Sequence, residues 1–287
     1  MTFFLSNYHQ HSLFCDGSDS PETLVRLARQ AGFKALGFSS HAPLPYKNEA
    51  LINFDWTMPL ERLPHYSQTI DTLKTACQNS LEIYKGLECD YIDKRLNPLF
   101  WKNLYRTNKN ITAFDYLIGS VHLLKSSESL CGYLPADYKP AVDKLISEYN
   151  GIWPFCRLYF DTVLEMIDTG GLNIVAHIEL IDKLNSAGTF FDRNAKPYQD
   201  KLHECFALAA QKEIFIEINT SLIRQNNIPS FFSAIKSGHE MGVRFVLNSD
   251  CHTAGTMTLH YESIHQYLCR QHIPLWVLKN GQWQESV

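Results

Sequence analysis

The chain has no CxxC pair among its eight cysteines, no apolar run long enough to cross a bilayer and no excess of basic charge. Each absence removes a class of protein. Thiols scattered at positions 15, 77, 89, 131, 156, 205, 251 and 269 give no paired framework, and nothing points to the oxidising compartment that disulfides need. A membrane span takes about 20 apolar residues, which no segment supplies. The start, MTFFLSNYHQHS, lacks the charged lead and long apolar stretch of a signal peptide, so a cytoplasmic protein with reduced thiols is expected. With 26 Lys and Arg against 30 Asp and Glu, the net charge of −4 argues against a broad nucleic-acid face. Any attraction for anions must come from a local site.

What is present is ordinary in bulk and unusual in placement. At 287 residues, 45% hydrophobic and 20% charged, the chain can bury a sizeable core. No linker, repeat or low-complexity tract interrupts it, so a single domain over 1–287 is expected. Strand-like runs (FFLSNYHQH, ALGFSSH, LEIYKGLECDY, FDYLIGSVH, LNIVAHIEL, EIFIEINTS, VRFVLNSDCH) alternate with helical stretches. The first helix follows Ser20 and Pro21 and ends at Gly32; a second lies within PLERLPHYSQTIDTLKTAC; others are expected over 138–149, 154–169, 197–211, 229–241 and 257–271. Such alternation predicts an α/β fold with a parallel sheet, and seven strands suit a closed or nearly closed barrel; an open sheet remains the alternative.

The strand ends carry metal-ligand chemistry. His9 and His11 close the first run and Asp16 follows; His41 closes the second, Glu88 sits in the third, His122 ends the fourth, His177 lies in the fifth, and Asp250 with His252 ends the seventh. In a barrel these ends share one mouth. The i, i+2 spacing of His9 with His11, and of Asp250 with His252, projects each pair to one side of its strand. One HxH is weak evidence and a lone strand histidine is more often a core residue. The recurrence of donors at strand ends reverses that reading. Imidazole mixed with carboxylate suits zinc, manganese or iron, and nine donors exceed the needs of one ion while suiting three when some bridge. His65, His203, His239, His260, His265 and His272 lie in helical or irregular segments and read as surface or structural residues, and Cys89 and Cys251 as packed thiols.

These motifs resemble the PHP family, named for polymerase and histidinol phosphatase domains: HQH with Asp16, SSH at 39–41, GLE at 86–88, GSVH at 119–122, AHIELI at 176–181 and SDCH at 249–252, in family order. Within it, SHAPLPY, WTMPLERLPHY, GLECDYID and FDYLIGSVH are similar to the stand-alone histidinol-phosphate phosphatases. The resemblance implies a distorted (β/α)7 barrel with a trinuclear centre at the C-terminal ends of its strands. It implies one ion on His9, His11, Glu88 and Asp250, a second sharing Glu88 with His122 and His177, and a third on Asp16, His41 and His252. The activity implied is hydrolysis of L-histidinol phosphate in histidine biosynthesis by metal-activated water. Two loops depart from the branch: LLKSSESLCGYLPADY after His122 lacks an aromatic–glycine segment, and TSLIRQ follows Asn219 where TSG and a basic residue are usual.

Three divalent ions against Asp16, Glu88 and Asp250 leave a charge of about +3, which suits a small phosphorylated substrate. Arg224, just past the sixth strand, is the first candidate for the phosphate, with Arg157 and Arg193 behind it, while Asn219 ends the one strand without a proposed ligand. Other readings are a phosphoesterase for a nucleotide or phosphotyrosine, and a metal-bound structural or proofreading module. Neither a membrane nor a nucleic acid is expected as partner.

Overall fold

Local chemistry sets the first helix. In the computed structural model the Ser20 hydroxyl accepts the Thr23 N–H at 3.3 Å, and Pro21 takes the first turn, where a missing N–H costs nothing. Helix α1 (Pro21–Gln30) buries Leu24, Val25 and Ala28 and stops before Gly32, whose φ of +85° suits a residue without a Cβ. The structure describes residues 4–44, 56–94, 96–104, 111–127, 132–185, 190–223 and 228–286.

Strands β1 (Ser6–Asn7), β2 (Ala35–Phe38) and β3 (Glu82–Lys85) form one parallel sheet. The chain continues through Gly86 and Leu87 into β4 (Glu88–Asp90), which opens a second sheet with β5 (Ile118–Ser120). An antiparallel hairpin, β6 (Leu123–Lys125) and β7 (Tyr133–Pro135), stands outside it. The sheet resumes with β8 (Ile174–Val175), β9 (Phe215–Asn219), β10 (Phe245–Asn248) and β11 (Leu275–Lys279), all parallel, and ends on antiparallel β12 (Gln282–Ser286). The molecule is thus an α/β fold with parallel sheets.

Single parallel bridges join the two sheets at both sides. His41 pairs with Glu88, next to the Ala42 N–H bonded to the Glu88 carbonyl at 2.7 Å. Gln10 pairs with Cys251, with the His11 N–H donating to the Cys251 carbonyl at 2.9 Å. These junctions lie where the donors stand.

The helices are α2 (Leu63–Cys77), α3 (Pro98–Leu104), α4 (Lys139–Glu148), α5 (Ile152–Thr169), α6 (Lys196–Gln211), α7 (Ile228–Glu240) and α8 (Tyr261–Gln271). The last starts later than its apolar spacing predicts, because the 3-10 turn Ala254–Thr256 and His260 at φ +62° precede it. Hairpins β6–β7 and β11–β12 and helix α3 have no counterpart in the periodicity. Among the described residues no helix is long and apolar enough to cross a membrane.

The apolar interior falls into two clusters. The larger lies between strands and helices. The smaller draws Tyr8, Ala35, Tyr84, Ile118, Ile174, Phe215, Val246 and Leu278 from around the strands, with Tyr116 among them. Tyr116 donates its hydroxyl to the Tyr8 carbonyl at 2.5 Å, and Tyr8 donates to the Leu278 carbonyl at 3.0 Å. A Cβ at Gly37 or Gly86 would run into the Tyr116 ring, so these glycines make room for it.

Candidate metal centre

The structure brings all nine donors together, most of them just past a strand, with Glu88 opening β4 and Asp16 nine residues beyond β1. Glu88 is their hub and is fully buried. Its Oε1 lies 3.0 Å from His177 Nε2 and 3.4 Å from His122 Nε2. Its Oε2 lies 3.2 Å from His9 Nε2, 3.3 Å from His11 Nε2 and 3.2 Å from His41 Nδ1. Asp250 Oδ1 approaches His11 Nε2 at 3.0 Å and His9 Nε2 at 3.4 Å. On the outer side Asp16 meets His252 Nε2 at 3.2 Å, His11 Nδ1 at 3.4 Å and His41 Nε2 at 3.9 Å. The His252 side chain is 42% exposed, so this side opens to solvent.

The donors fall into overlapping groups whose ligand atoms lie within 4.8 Å of one another: His11, Asp16, His41 and His252; His9, His11 and Asp250; His9, Glu88 and His177; His41, Glu88 and His122. The chemistry of the contacts fits cations. His9 Nε2 and His11 Nε2 face each other at 3.3 Å, and His122 Nε2 and His177 Nε2 at 3.2 Å. Tetrahedral nitrogen ligands about 2.0–2.1 Å from an ion lie roughly 3.3 Å apart, so such spacing is what a shared ion requires. Glu88 Oε2, though only 3.2 Å from His41 Nδ1, has no hydrogen-bond partner among the described residues in this buried setting. A buried carboxylate oxygen without a donor is costly, and a divalent ion would compensate it.

Outer partners aim the rings. His9 Nδ1–H donates to Glu217 Oε1 at 2.7 Å, and His122 Nδ1–H to Asp90 Oδ1 at 2.7 Å. Carboxylate acceptors put the protons on Nδ1 and leave the Nε2 lone pairs pointing inward. Glu217 also accepts the His177 N–H at 2.8 Å and the Asn219 and Asn248 amides at 2.9 Å. Asn219 donates again to Asp250 Oδ2 at 3.2 Å, turning Oδ1 toward His9 and His11. His177 (φ +22°) and Asp250 (φ +51°) take backbone conformations that non-glycine residues rarely adopt. The Glu217 bond to the His177 N–H and the Asp250 N–H bond to the His9 carbonyl at 2.9 Å hold them there.

Burial opposes ionisation of Glu88, but His41, His9 and His122 outweigh it and hold its carboxyl well below the usual range. Burial likewise opposes Asp250, where His9 and His11 prevail. For His41, burial dominates and pushes the imidazole down to about 4, which favours the neutral ligand form. For His122, burial is overcome by Asp90 and Glu88, which raise it to about 9.

A cavity of about 150 Å³ opens onto the donors, lined by Asp16, His41, Trp56, Glu88, His122, Asp137, His177, Leu180, Lys183, Asp250 and His252. A larger hollow of about 640 Å³ beside α8 holds His239, His265, Cys269 and His272. Among the described residues no three donors of that hollow lie close enough together to share an ion.

The arginines are placed differently from the expectation. Arg157 sits on α5 with its side chain 72% exposed, paired with Asp161 at 3.3 Å. Arg193 is buried, its guanidinium donating to Glu179 Oε1 at 2.6 Å and Ser230 Oγ at 2.7 Å, with Asp182 at 3.6 Å. Neither lines the cavity; one is a solvated pair and the other is used up internally. Arg224 lies outside the described residues. Among the described residues the cation lining the cavity is Lys183, whose Nζ donates to Asp137 Oδ2 at 2.6 Å. Sequence reasoning missed Glu217, Asp90 and Lys183.

The family model of the PHP domain matches residues 7–221. The chain belongs to the PHP domain family. The histidinol-phosphatase of Bacillus subtilis is 26% identical to this PHP chain over 269 residues, covering 89% of it and 96% of that protein. Among solved structures, histidinol phosphate phosphatase from Lactococcus lactis, complexed with zinc, L-histidinol and phosphate, superposes with a TM-score of 0.71 at 20% identity, covering 99% of this chain and 100% of that one. A chain from Listeria monocytogenes gives a TM-score of 0.73 at 19% identity, covering 90% and 99%. The structural likeness establishes the fold.

Proposed function

We propose that residues 1–287 form one unit that hydrolyses L-histidinol phosphate to L-histidinol and inorganic phosphate, a step of histidine biosynthesis, at a centre holding three divalent ions. The convergence of six imidazoles and three carboxylates carries the reading, with seven of these nine donors lining one cavity. The near full-length likeness to a histidinol-phosphatase supports the substrate. The nine donors at the mouth would hold zinc, manganese or iron. The bridges at His41–Glu88 and Gln10–Cys251, with an apolar cluster drawn from around the strands, support a ring of seven strands closing as a barrel.

When bound, the ions supply Lewis-acid charge and an acidified water for in-line attack at phosphorus. The chain's own residues do the rest. Glu217 and Asp90 fix His9 and His122 as acceptors toward the centre. Asn219 turns Asp250, and Lys183 stands at the rim as an ammonium donor for a phosphoryl oxygen. Arg224, five residues past Asn219, is a further phosphate partner in this proposal. The role considered for Arg157 and Arg193 passes to Lys183.

The test is metal analysis of protein purified without chelator, with kcat/KM for L-histidinol phosphate, p-nitrophenyl phosphate, a nucleotide and phosphotyrosine side by side. The expected result is bound metal and a clear preference for L-histidinol phosphate. Equal rates across the esters would leave a phosphoesterase and remove the substrate.

A further inference from the structure

Four carboxylates line the cavity, and three of them, Asp16, Glu88 and Asp250, interlock with imidazoles. The fourth does something else. Asp137 pairs with Lys183, and its side chain is 24% exposed. Its place is well fixed: it follows β7, and the neighbouring Ala136 N–H donates to the His122 carbonyl at 2.8 Å. Lys183 is fixed too, on the 3-10 turn Leu180–Leu184, where buried Arg193 grips Glu179 just before the turn and Asp182 within it. The rim therefore presents one positive and one negative group side by side on anchored backbone, next to the ion centre.

We infer that Asp137 is a specificity-determining residue whose carboxylate receives the ammonium of the leaving alcohol while Lys183 faces the phosphoryl group. The inference rests on the function proposed above and deepens it. L-Histidinol phosphate carries its ammonium on the carbon next to the one bearing the phosphate ester, so it needs an anion and a cation a few ångströms apart. The Lys183 contact occupies only Oδ2 in the hydrogen-bond pattern, and a carboxylate has further acceptor sites for an ammonium. The ion centre can act on any monoester that reaches it. Discrimination therefore has to come from groups that meet the alcohol, and a charge at the rim meets it first. The opposing possibility is that Asp137 only neutralises and positions Lys183.

A substrate pair separates these roles. Wild type, Asp137→Asn and Asp137→Glu are compared on L-histidinol phosphate and on its deamino analogue, 3-(imidazol-4-yl)propyl phosphate, and L-histidinol binding is measured by calorimetry with metal content in parallel. In Asp137→Asn the ratio of the two kcat/KM values should fall by about tenfold to a hundredfold, the worth of one charge-assisted contact, with weaker L-histidinol binding at retained metal content. Asp137→Glu should restore part of the ratio. Equal losses on both esters would overturn the inference and reduce Asp137 to a support for Lys183, as would an unchanged ratio. A wild-type enzyme without preference for L-histidinol phosphate over unrelated esters would overturn the proposed function itself, a result visible before any variant is made.

Discussion

The same strands build two opposite environments. At one level Tyr8, Tyr84, Ile118, Ile174, Phe215 and Val246 meet in a buried apolar cluster that includes Tyr116. One to four residues further along, the same chain segments deliver His9, Glu88, Ser120, His177, Glu217 and Asn248, all buried and polar. The first level is held by apolar area and edge-to-face rings, such as Tyr8 against Tyr116 at 6.0 Å, and it needs no ligand. The second is held by hydrogen bonds that leave lone pairs converging. Its like-facing nitrogens are a cost to the metal-free fold and a gain once cations sit between them. The lower level is therefore expected to govern stability and the upper level to govern metal and turnover. Substitutions that move one property without the other sharpen this division.

The largest effect is expected at the hub. Glu88→Gln keeps the size of the side chain but replaces a carboxylate facing five imidazoles with a neutral, poorer ligand. Metal content should drop, and kcat/KM should fall by about a thousandfold or more, some 4 kcal/mol. Phosphate release and elemental analysis on the same preparation check it. Full occupancy with near-normal turnover would remove Glu88 from the centre.

The nine donors were legible because most stand at the end of a strand-like run, and two pairs share the i, i+2 spacing that puts side chains on one side. Asp90 stands in that same relation to Glu88, yet a carboxylate that only aims a ring has no mark of its own. Glu217 was hidden by the alternation in EIFIEIN, which reads as a strand with one polar face. All five residues of β9 are buried, so the position that period two would give to solvent turns inward to His9. Lys183 and Asp137 come from a short turn and from the end of a hairpin 46 residues away, a meeting that no local pattern encodes. For Arg193 the sequence shows a charge but not its destination, and Glu179 with Asp182 claims it before any substrate can. The bridges that join the two sheets are single pairs of residues, too small to leave a periodic trace.

A smaller effect should distinguish the ligands from the groups that aim them. Without metal, burial would lower the His122 pKa, but Asp90 and Glu88 raise it to about 9, so at neutral pH this ring holds a proton that an incoming ion must displace. The sign follows: affinity rises with pH, by about tenfold per unit for each proton displaced, between pH 6 and pH 8. His41, at about 4, is already neutral there and adds nothing to the slope. Asp90→Asn removes the carboxylate that both raises His122 and orients it. Zinc affinity at pH 8 should then fall by about tenfold to a hundredfold, and the pH dependence should become shallower without vanishing, because His9 and His11 are also raised well above the ordinary imidazole range. Competition titrations of apoprotein against a chelator at both pH values decide it; a slope as steep as wild type would mean that another group carries the proton.

The smallest expected effect lies at the dry level and moves the other property. Tyr116→Phe keeps the ring that fills the space above Gly37 and Gly86 and deletes only the hydroxyl. That hydroxyl is buried and donates to the Tyr8 carbonyl, one residue before His9. Its removal takes away one buried hydrogen bond, worth about 1 kcal/mol, and leaves the Tyr8 carbonyl without that donor. The denaturant midpoint should shift accordingly with an unchanged slope, because the surface exposed on unfolding is the same. Metal content and kcat/KM should stay near wild type, since His9 is aimed by Glu217 and not by the floor beneath it. A loss of metal at unchanged stability would invert the assignment and make the Tyr116–Tyr8 bond part of what places His9.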